Sequence, residues 1–155
     1  MFRDADDEDL IGLLRLERAA NLAALAHVFP PEQYPFPDAA VLEDWRIAVA
    51  DPSRRVMVAG EPDRLHAVVM YDEGRVHKLA VHPDQWGHGL ATRALDTALA
   101  AMRVRGTSTA WLWCLEANPR ARRLYEHLGW ADTGEREPSK WPPYPHMMRY
   151  RRPVG

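Results

Sequence analysis

Between Val76 and Met102 the chain reads VHKLAVHPDQWGHGLATRALDTALAAM, a short apolar strand that breaks at Pro83 into a glycine loop opening directly into a helical pattern. That order of elements builds an anion cradle. Glycines let the backbone approach a ligand closely, and the unpaired amides of a helix start, backed by the helix dipole, favour a pyrophosphate without any lysine. Two other phosphate loops are excluded. No Gly-Lys-Ser/Thr ending is present for a P-loop, and in Gly87-His88-Gly89-Leu90-Ala91-Thr92 the last residue stands where a dinucleotide loop needs a third small one.

The elements that must position this loop can be read from periodicity and punctuation. MFRDA suggests a short first strand, and Asp6 or Asp7 caps a helix from about Asp9 to Ala26 with Leu10, Leu13, Leu14 and Ala20 on its apolar face. A Pro- and aromatic-rich segment leads to a second helix near Ala39 to Val49, carrying Val41, Trp45 and Ala48. Strands are expected at Arg55 to Ala59, Leu65 to Tyr71 and Arg75 to His82, separated by turn residues. The helix after the loop shows Ala91, Leu95, Ala98, Leu99 and Met102 at helical spacing. Thr109 to Leu115 reads as a buried strand. Pro119 to Leu128 reads as a helix with Asn118 at its cap and Gly129 just past its end. Two last strands, about Trp130 to Glu135 and His146 to Tyr150, flank the loop PSKWPPYP. This order is α/β in character, with no repeat and no linker, so residues 1–155 read as a single domain.

The segment LAVHPDQWGHGLA resembles the acyl-CoA loop of the GNAT superfamily of N-acetyltransferases, with Trp86 where Gln or Arg is usual and Gln85 one place early. A second segment, Trp111 to Gly134, is similar to the strand, Asn, Ala, Leu-Tyr, Leu-Gly-aromatic signature of the same family: Asn118, Ala121, Leu124, Tyr125, Leu128, Gly129 and Trp130 fall in register. The resemblance implies the GNAT acyl-CoA N-acyltransferase fold, a mixed twisted sheet of about six to seven strands flanked by about four helices. It also implies acetyl-CoA as cofactor, with acetyl transfer to a primary amine by direct attack in a ternary complex. The cofactor-binding residues it implies are Leu79, Ala80 and Val81 on the strand, Trp86 through Thr92 in the loop and helix start, and Asn118, with Arg122 within reach of the 3′-phosphate or adenine side.

Attack of an amine on a thioester requires removal of an ammonium proton, polarisation of a carbonyl and protonation of a leaving thiolate. Tyr125 matches the tyrosine that serves many family members as general acid, and a core aromatic is the competing reading. Where members commonly place a carboxylate base, this chain has Arg75 and Trp113. Strand alternation puts His77 on the same side as Arg75, Leu79 and Val81, which makes it the candidate base, directly or through water. HKLAVH also resembles the strand through which arylalkylamine N-acetyltransferases work with histidines. Glu116 is the second candidate, and Cys114 reads as packing.

Composition bounds the rest. Twenty Lys+Arg against 22 Asp+Glu, net charge -2, gives no case for nucleic acid, no apolar run approaches a membrane span, and no metal ligand set is assigned. One Cys and an acidic start without an apolar core suggest a cytoplasmic protein. The resemblance implies that the loops between the first two helices and the last two strands wall the acceptor site; here they carry Phe29, Tyr34, Phe36, Trp141 and Tyr144, a lining that suits a small-molecule amine or a peptide end, with simple loop packing as the competing reading. A homodimer stays open, as does a GNAT-fold module that binds acyl-CoA without turnover.

Overall fold

The computed structural model describes residues 1–155, in seven strands and four helices. In chain order these are β1 (Arg3–Asp4), α1 (Leu10–Leu25), α2 (Asp38–Ala50), β2 (Arg55–Glu61), β3 (Arg64–Tyr71), β4 (Arg75–Val81), α3 (Leu90–Val104), β5 (Thr109–Leu115), α4 (Pro119–His127), β6 (Ala131–Pro138) and β7 (His146–Pro153). The expected elements all form, with bounds shifted by a residue or two except that β6 and β7 run three residues further. No helix is long and apolar enough to cross a membrane.

The acidic start does specific work. Asp6 accepts from the Glu8 amide, and the Asp9 side chain reaches back to the Asp6 amide at 2.9 Å, a reciprocal cap for the turn Asp7–Asp9 that leads into α1. Asp9 is fully buried and holds Arg3 of β1 through two hydrogen bonds of 2.8 and 2.9 Å, so the same carboxylate docks the edge strand. Gly12 lets α1 approach the turn between β2 and β3, since a Cβ there would sit 2.5 Å from the Pro62 carbonyl oxygen.

The strands form one sheet in the order β1-β2-β3-β4-β5-β7-β6, antiparallel throughout except for β4 beside β5. Two apolar clusters sandwich it. On one face α1 and α2 bury Leu13, Leu16, Val41 and Trp45 against Val56, Val58 and Val68. On the other, Leu95, Leu99 and Met102 of α3 and Tyr125 of α4 pack on Val69, Val76, Leu112, Met148 and Tyr150. Each such side chain contributes roughly 1.5–3 kcal/mol through removal from water.

Two departures from regular pairing create the site. β4 and β5 pair only at Arg75 with Trp111 and Val76 with Leu112, and beyond that point they separate, leaving a wedge between the C-terminal ends of the two strands. In addition, the β3–β4 register shifts: Met70 pairs with Lys78 but Tyr71 pairs with Val76, so His77 is an extra residue in β4. The bulge corrects the expected alternation. Val76 joins Val69 and Leu79 on the α3/α4 face, and Arg75, paired with Trp111, falls on the opposite face from Leu79. Simple period-two counting holds only while neither strand carries an extra residue.

Candidate functional site

The wedge is filled by two adjoining cavities. The first, of about 480 Å³, runs along α1, the end of β4, the glycine loop and α4; the second, of about 210 Å³, lies between β4 and β5 under Trp45 of α2. Six residues line both: Glu17, Leu79, Ala80, Asn118, Ala121 and Tyr125. Their shared wall joins the two cavities.

The first cavity has the character of an anion site. Gly87 and Gly89 have φ of +84° and +76°, and a Cβ on either would meet no atom within 4 Å, so the glycines serve backbone conformation and an open approach. Gly89 is the N-cap of α3 and offers no side chain to its amides. Consequently none of the six amides from Gly87 to Thr92 donates to another protein group. Trp86 anchors this loop: its indole N–H donates to the Val81 carbonyl at 2.9 Å, and its ring carries the Arg120 guanidinium at 3.9 Å. Above the loop, the His82 amide bonds to the His66 carbonyl of β3, so by antiparallel alternation the amides of Leu79 and Val81 face the open edge towards β5.

Of the cofactor residues expected from the sequence, Leu79, Ala80, Val81, Trp86, Gly87, Gly89, Leu90, Ala91, Thr92 and Asn118 all line this cavity. Asn118 also caps α4, its Oδ1 accepting from the Ala121 amide at 3.2 Å. The side chains of His88 and Arg122 stand apart from the others. The His88 ring turns back to the Gln85 carbonyl at 3.0 Å, and Arg122 turns to the Glu116 carbonyl and Glu126, so neither side chain lines the cavity. The helical period explains the second case: with Ala121, Leu124 and Tyr125 facing the cavity, Arg122 projects away, while Arg120 and Arg123 flank the opening. That signal was present in the sequence.

Tyr125 sits at the shared wall, 7% exposed, with its ring edge-on to Trp130 (centroids 6.0 Å apart) and tilted on Tyr150 (5.7 Å). Its hydroxyl makes no hydrogen bond to the protein. Burial, then the neighbouring Cys114 and Tyr150, holds the phenol well above its usual pKa, so it stays protonated at neutral pH. Burial likewise pushes the Cys114 thiol up to about 12, which leaves it a packing group.

His77 lines the second cavity, and its Nε2 lies 2.7 Å from Asp72 Oδ2. Burial works to raise the Asp72 carboxyl, but the His77 hydrogen bond and the amides of Gly74 and Arg75 together hold it below the usual carboxylate range. A carboxylate at that distance accepts, so Nε2 carries the proton and Nδ1 keeps its lone pair. Burial lowers the His77 pKa against the opposing hydrogen bond to Asp72, favouring neutral imidazole. Asp72 was missed because it acts through a hairpin contact. Glu17 was missed for a similar reason: it is the carboxylate common to both cavities, held by Lys78 at 2.9 and 3.0 Å across the α1–β4 contact. Glu116 lies outside both cavities in an ion pair with Arg136. Neither cavity is lined by Phe29, Tyr34, Phe36, Trp141 or Tyr144; Phe36 packs into the α1/α2 core and Tyr144 is exposed.

Comparison with known proteins gives the family and the fold. The sequence model described as the acetyltransferase (GNAT) family matches residues 17–130. The chain is 33% identical over 123 residues to a mycothiol acetyltransferase of Beutenbergia cavernae, covering 73% of this chain and 41% of that protein. It is 36% identical over 65 residues to the ribosomal protein bS18-alanine N-acetyltransferase of Escherichia coli K12, covering 42% and 44%. The matches thus span less than half the length of these curated relatives. The fold matches that of a GCN5-related N-acetyltransferase from Rhodopseudomonas palustris with a TM-score of 0.82 at 15% identity, covering 99% of this chain and 94% of that one.

Proposed function

The chain belongs to the acetyltransferase (GNAT) family, and from that membership we propose that it transfers an acetyl group from acetyl-CoA to a primary amine, in the cytoplasm, by direct attack in a ternary complex. The observation that carries the reading is the junction of the two cavities, where the free Tyr125 hydroxyl faces the space between the open edge of β4 and the second cavity.

The residues fit the donor. Six unpaired amides at the start of α3 suit a pyrophosphate, and Arg120 and Arg123 supply side-chain cations that Trp86 does not. The amides of Leu79 and Val81 bond the pantetheine arm and polarise the thioester carbonyl, a donor of this kind being worth about 3 to 4 kcal/mol. Acetyl-CoA supplies the activated acyl group. His77 Nδ1 takes the ammonium proton, directly or through water, with Asp72 fixing the tautomer. The N–C bond would then form as the C–S bond breaks, Tyr125 giving its proton to the departing sulfur and the second amine proton, shed as the amide forms, returning to the phenolate directly or through water.

The test is a screen of small amines and peptide N-termini reading free CoA release, with calorimetry of acetyl-CoA binding alongside. Gly89→Glu should abolish binding, because a carboxylate would stand among the open amides. No binding by the wild type at millimolar CoA refutes the donor assignment; binding without turnover of any amine supports instead a non-catalytic acyl-CoA-binding module, which the absence of carboxylates at Arg75 and Trp113 keeps in view.

A further inference from the structure

Only two of the 20 Lys and Arg residues in the chain are lysines, Lys78 and Lys140. An arginine keeps its proton at any ordinary pH, whereas a lysine that sheds one becomes a nucleophilic primary amine. Apart from the N-terminus, which lies exposed at Met1, these two are the primary amines of the protein. One of them is at the site: Lys78 lines the second cavity beside His77 and Leu79. No other lysine lines either cavity.

The fold brings this amine up to the shared wall. Lys78 pairs with Met70 of β3, which lies in the α1/α2 cluster, so its side chain leaves β4 on the face opposite Leu79 and runs beneath α1. There Nζ meets both carboxylate oxygens of Glu17, at 2.9 and 3.0 Å, and stands 5.3 Å from the centroid of the Trp45 ring. Glu17 is one of the six residues common to both cavities and the only carboxylate on either wall. The amine therefore lies within hydrogen-bond distance of the boundary between them, one residue along β4 from Leu79. Its side chain is 35% exposed, so it also meets water. Lys140 is a matched contrast, paired with the Asp44 carboxylate at 2.8 Å but lining neither cavity.

We propose that Lys78 is an internal acceptor: with acetyl-CoA bound and no amine ligand present, the site transfers the acetyl group to Lys78 Nζ, at a rate that the Glu17 ion pair restrains; this rests on the acetyl-transfer reading above. An ammonium has no lone pair to attack with, and a bidentate carboxylate holds it in that form, so the transfer is slow and relies on proximity to the thioester. In the step, Nζ gives one proton to water, its freed lone pair forms the N–C bond, and the C–S bond breaks with its electron pair on sulfur. Tyr125 protonates that sulfur, and the second Nζ proton returns to the phenolate as the amide forms. The products are Nε-acetyl-Lys78, CoA and one proton in solution. The modified side chain carries no charge, which leaves Glu17 at the shared wall without its counter-ion.

The experiment incubates the protein with acetyl-CoA alone and follows acetylation of Lys78 and Lys140 by peptide mass spectrometry, in wild type, Glu17→Gln and Gly89→Glu, with a melting curve for each. In the wild type Lys78 should be acetylated at least about tenfold faster than Lys140, a small part of the advantage of holding two reactants in one site. Glu17→Gln should speed Lys78 by about tenfold, the size of a hydrogen bond to a charged group, and leave Lys140 unchanged. Excess desulfo-CoA on the wild type, or Gly89→Glu, should bring Lys78 down to the Lys140 rate. Equal rates at the two lysines in the wild type, or a Lys78 rate that survives desulfo-CoA, overturns the proposal in favour of simple chemical acetylation. A Lys78 rate in Glu17→Gln no faster than in wild type overturns the restraint. Acetylation of free amines with Lys78 untouched overturns the internal acceptor while leaving acetyl transfer intact. If acetyl-CoA binds and neither a free amine nor Lys78 is acetylated, both readings fall.

Discussion

Replacing Tyr125 by Phe separates the chemical role of that residue from its place in the core. The ring packs on Trp130 and Tyr150 and is 7% exposed, and Phe keeps all of that contact. The hydroxyl bonds no protein group, so its removal strands no partner and should change stability by less than about 1 kcal/mol. If the phenol protonates the thiolate, kcat should fall by about 10² to 10⁴, which corresponds to roughly 3 to 5.5 kcal/mol of transition-state stabilisation. Affinity for acetyl-CoA should stay within about threefold, because the proton is given only as the C–S bond breaks. The assay is CoA release at saturating donor and acceptor, with calorimetric Kd and a melting curve for each protein. Since burial raises the pKa of Tyr125, the acid form persists and no alkaline limb from this group should appear below about pH 10. A kcat within threefold of wild type refutes the acid role and returns Tyr125 to packing alone. A loss of affinity as large as the loss of turnover would also refute it, since the hydroxyl would then serve ground-state binding.

His77→Gln should cut kcat/KM by about 10² to 10⁴ at neutral pH. The deficit should shrink towards pH 9 as free amine becomes abundant, and a pH-independent deficit contradicts base work. Because burial lowers the His77 pKa, the base form is the one favoured in the fold, and the acid limb of the wild-type profile should lie below 6.5; Asp72→Asn should act in the same direction as His77→Gln without altering CoA affinity. Asp9→Ala should cost about 3 kcal/mol at pH 7, as the loss of a buried carboxylate that docks Arg3. The Arg3 hydrogen bond holds the folded pKa of Asp9 below its unfolded value of about 3.9. Its contribution is therefore complete above that value and is lost as pH falls from there through the lower folded pKa. Urea unfolding at pH 7 and pH 3 should show the gap between wild type and variant narrowing, and a constant gap contradicts the ion-pair account.

The sequence by itself determined the helices, most strand positions, the glycine loop, the Asn118 cap and the placement of Tyr125 on the inner side of α4. Those features rest on signals a few residues apart: helical period, capping side chains, prolines and glycines that interrupt strands. The same short range explains what could be read but was not, the turn of α4 that faces Arg120 and Arg123 to the cavity and Arg122 away. Tertiary structure alone decided the rest. The extra residue at His77 reversed the side of Arg75, because strand register is settled by which faces of β3 and β4 bury Val69, Val76 and Leu79. The partner of His77 is Asp72, and Glu17 reaches both cavities only because α1 docks on β4 through Lys78, 61 residues away in the chain. The wedge itself exists because β4 and β5 pair at two positions and then part to follow different helices, and no local pattern in either strand records where a neighbour 36 residues away will cease to be one.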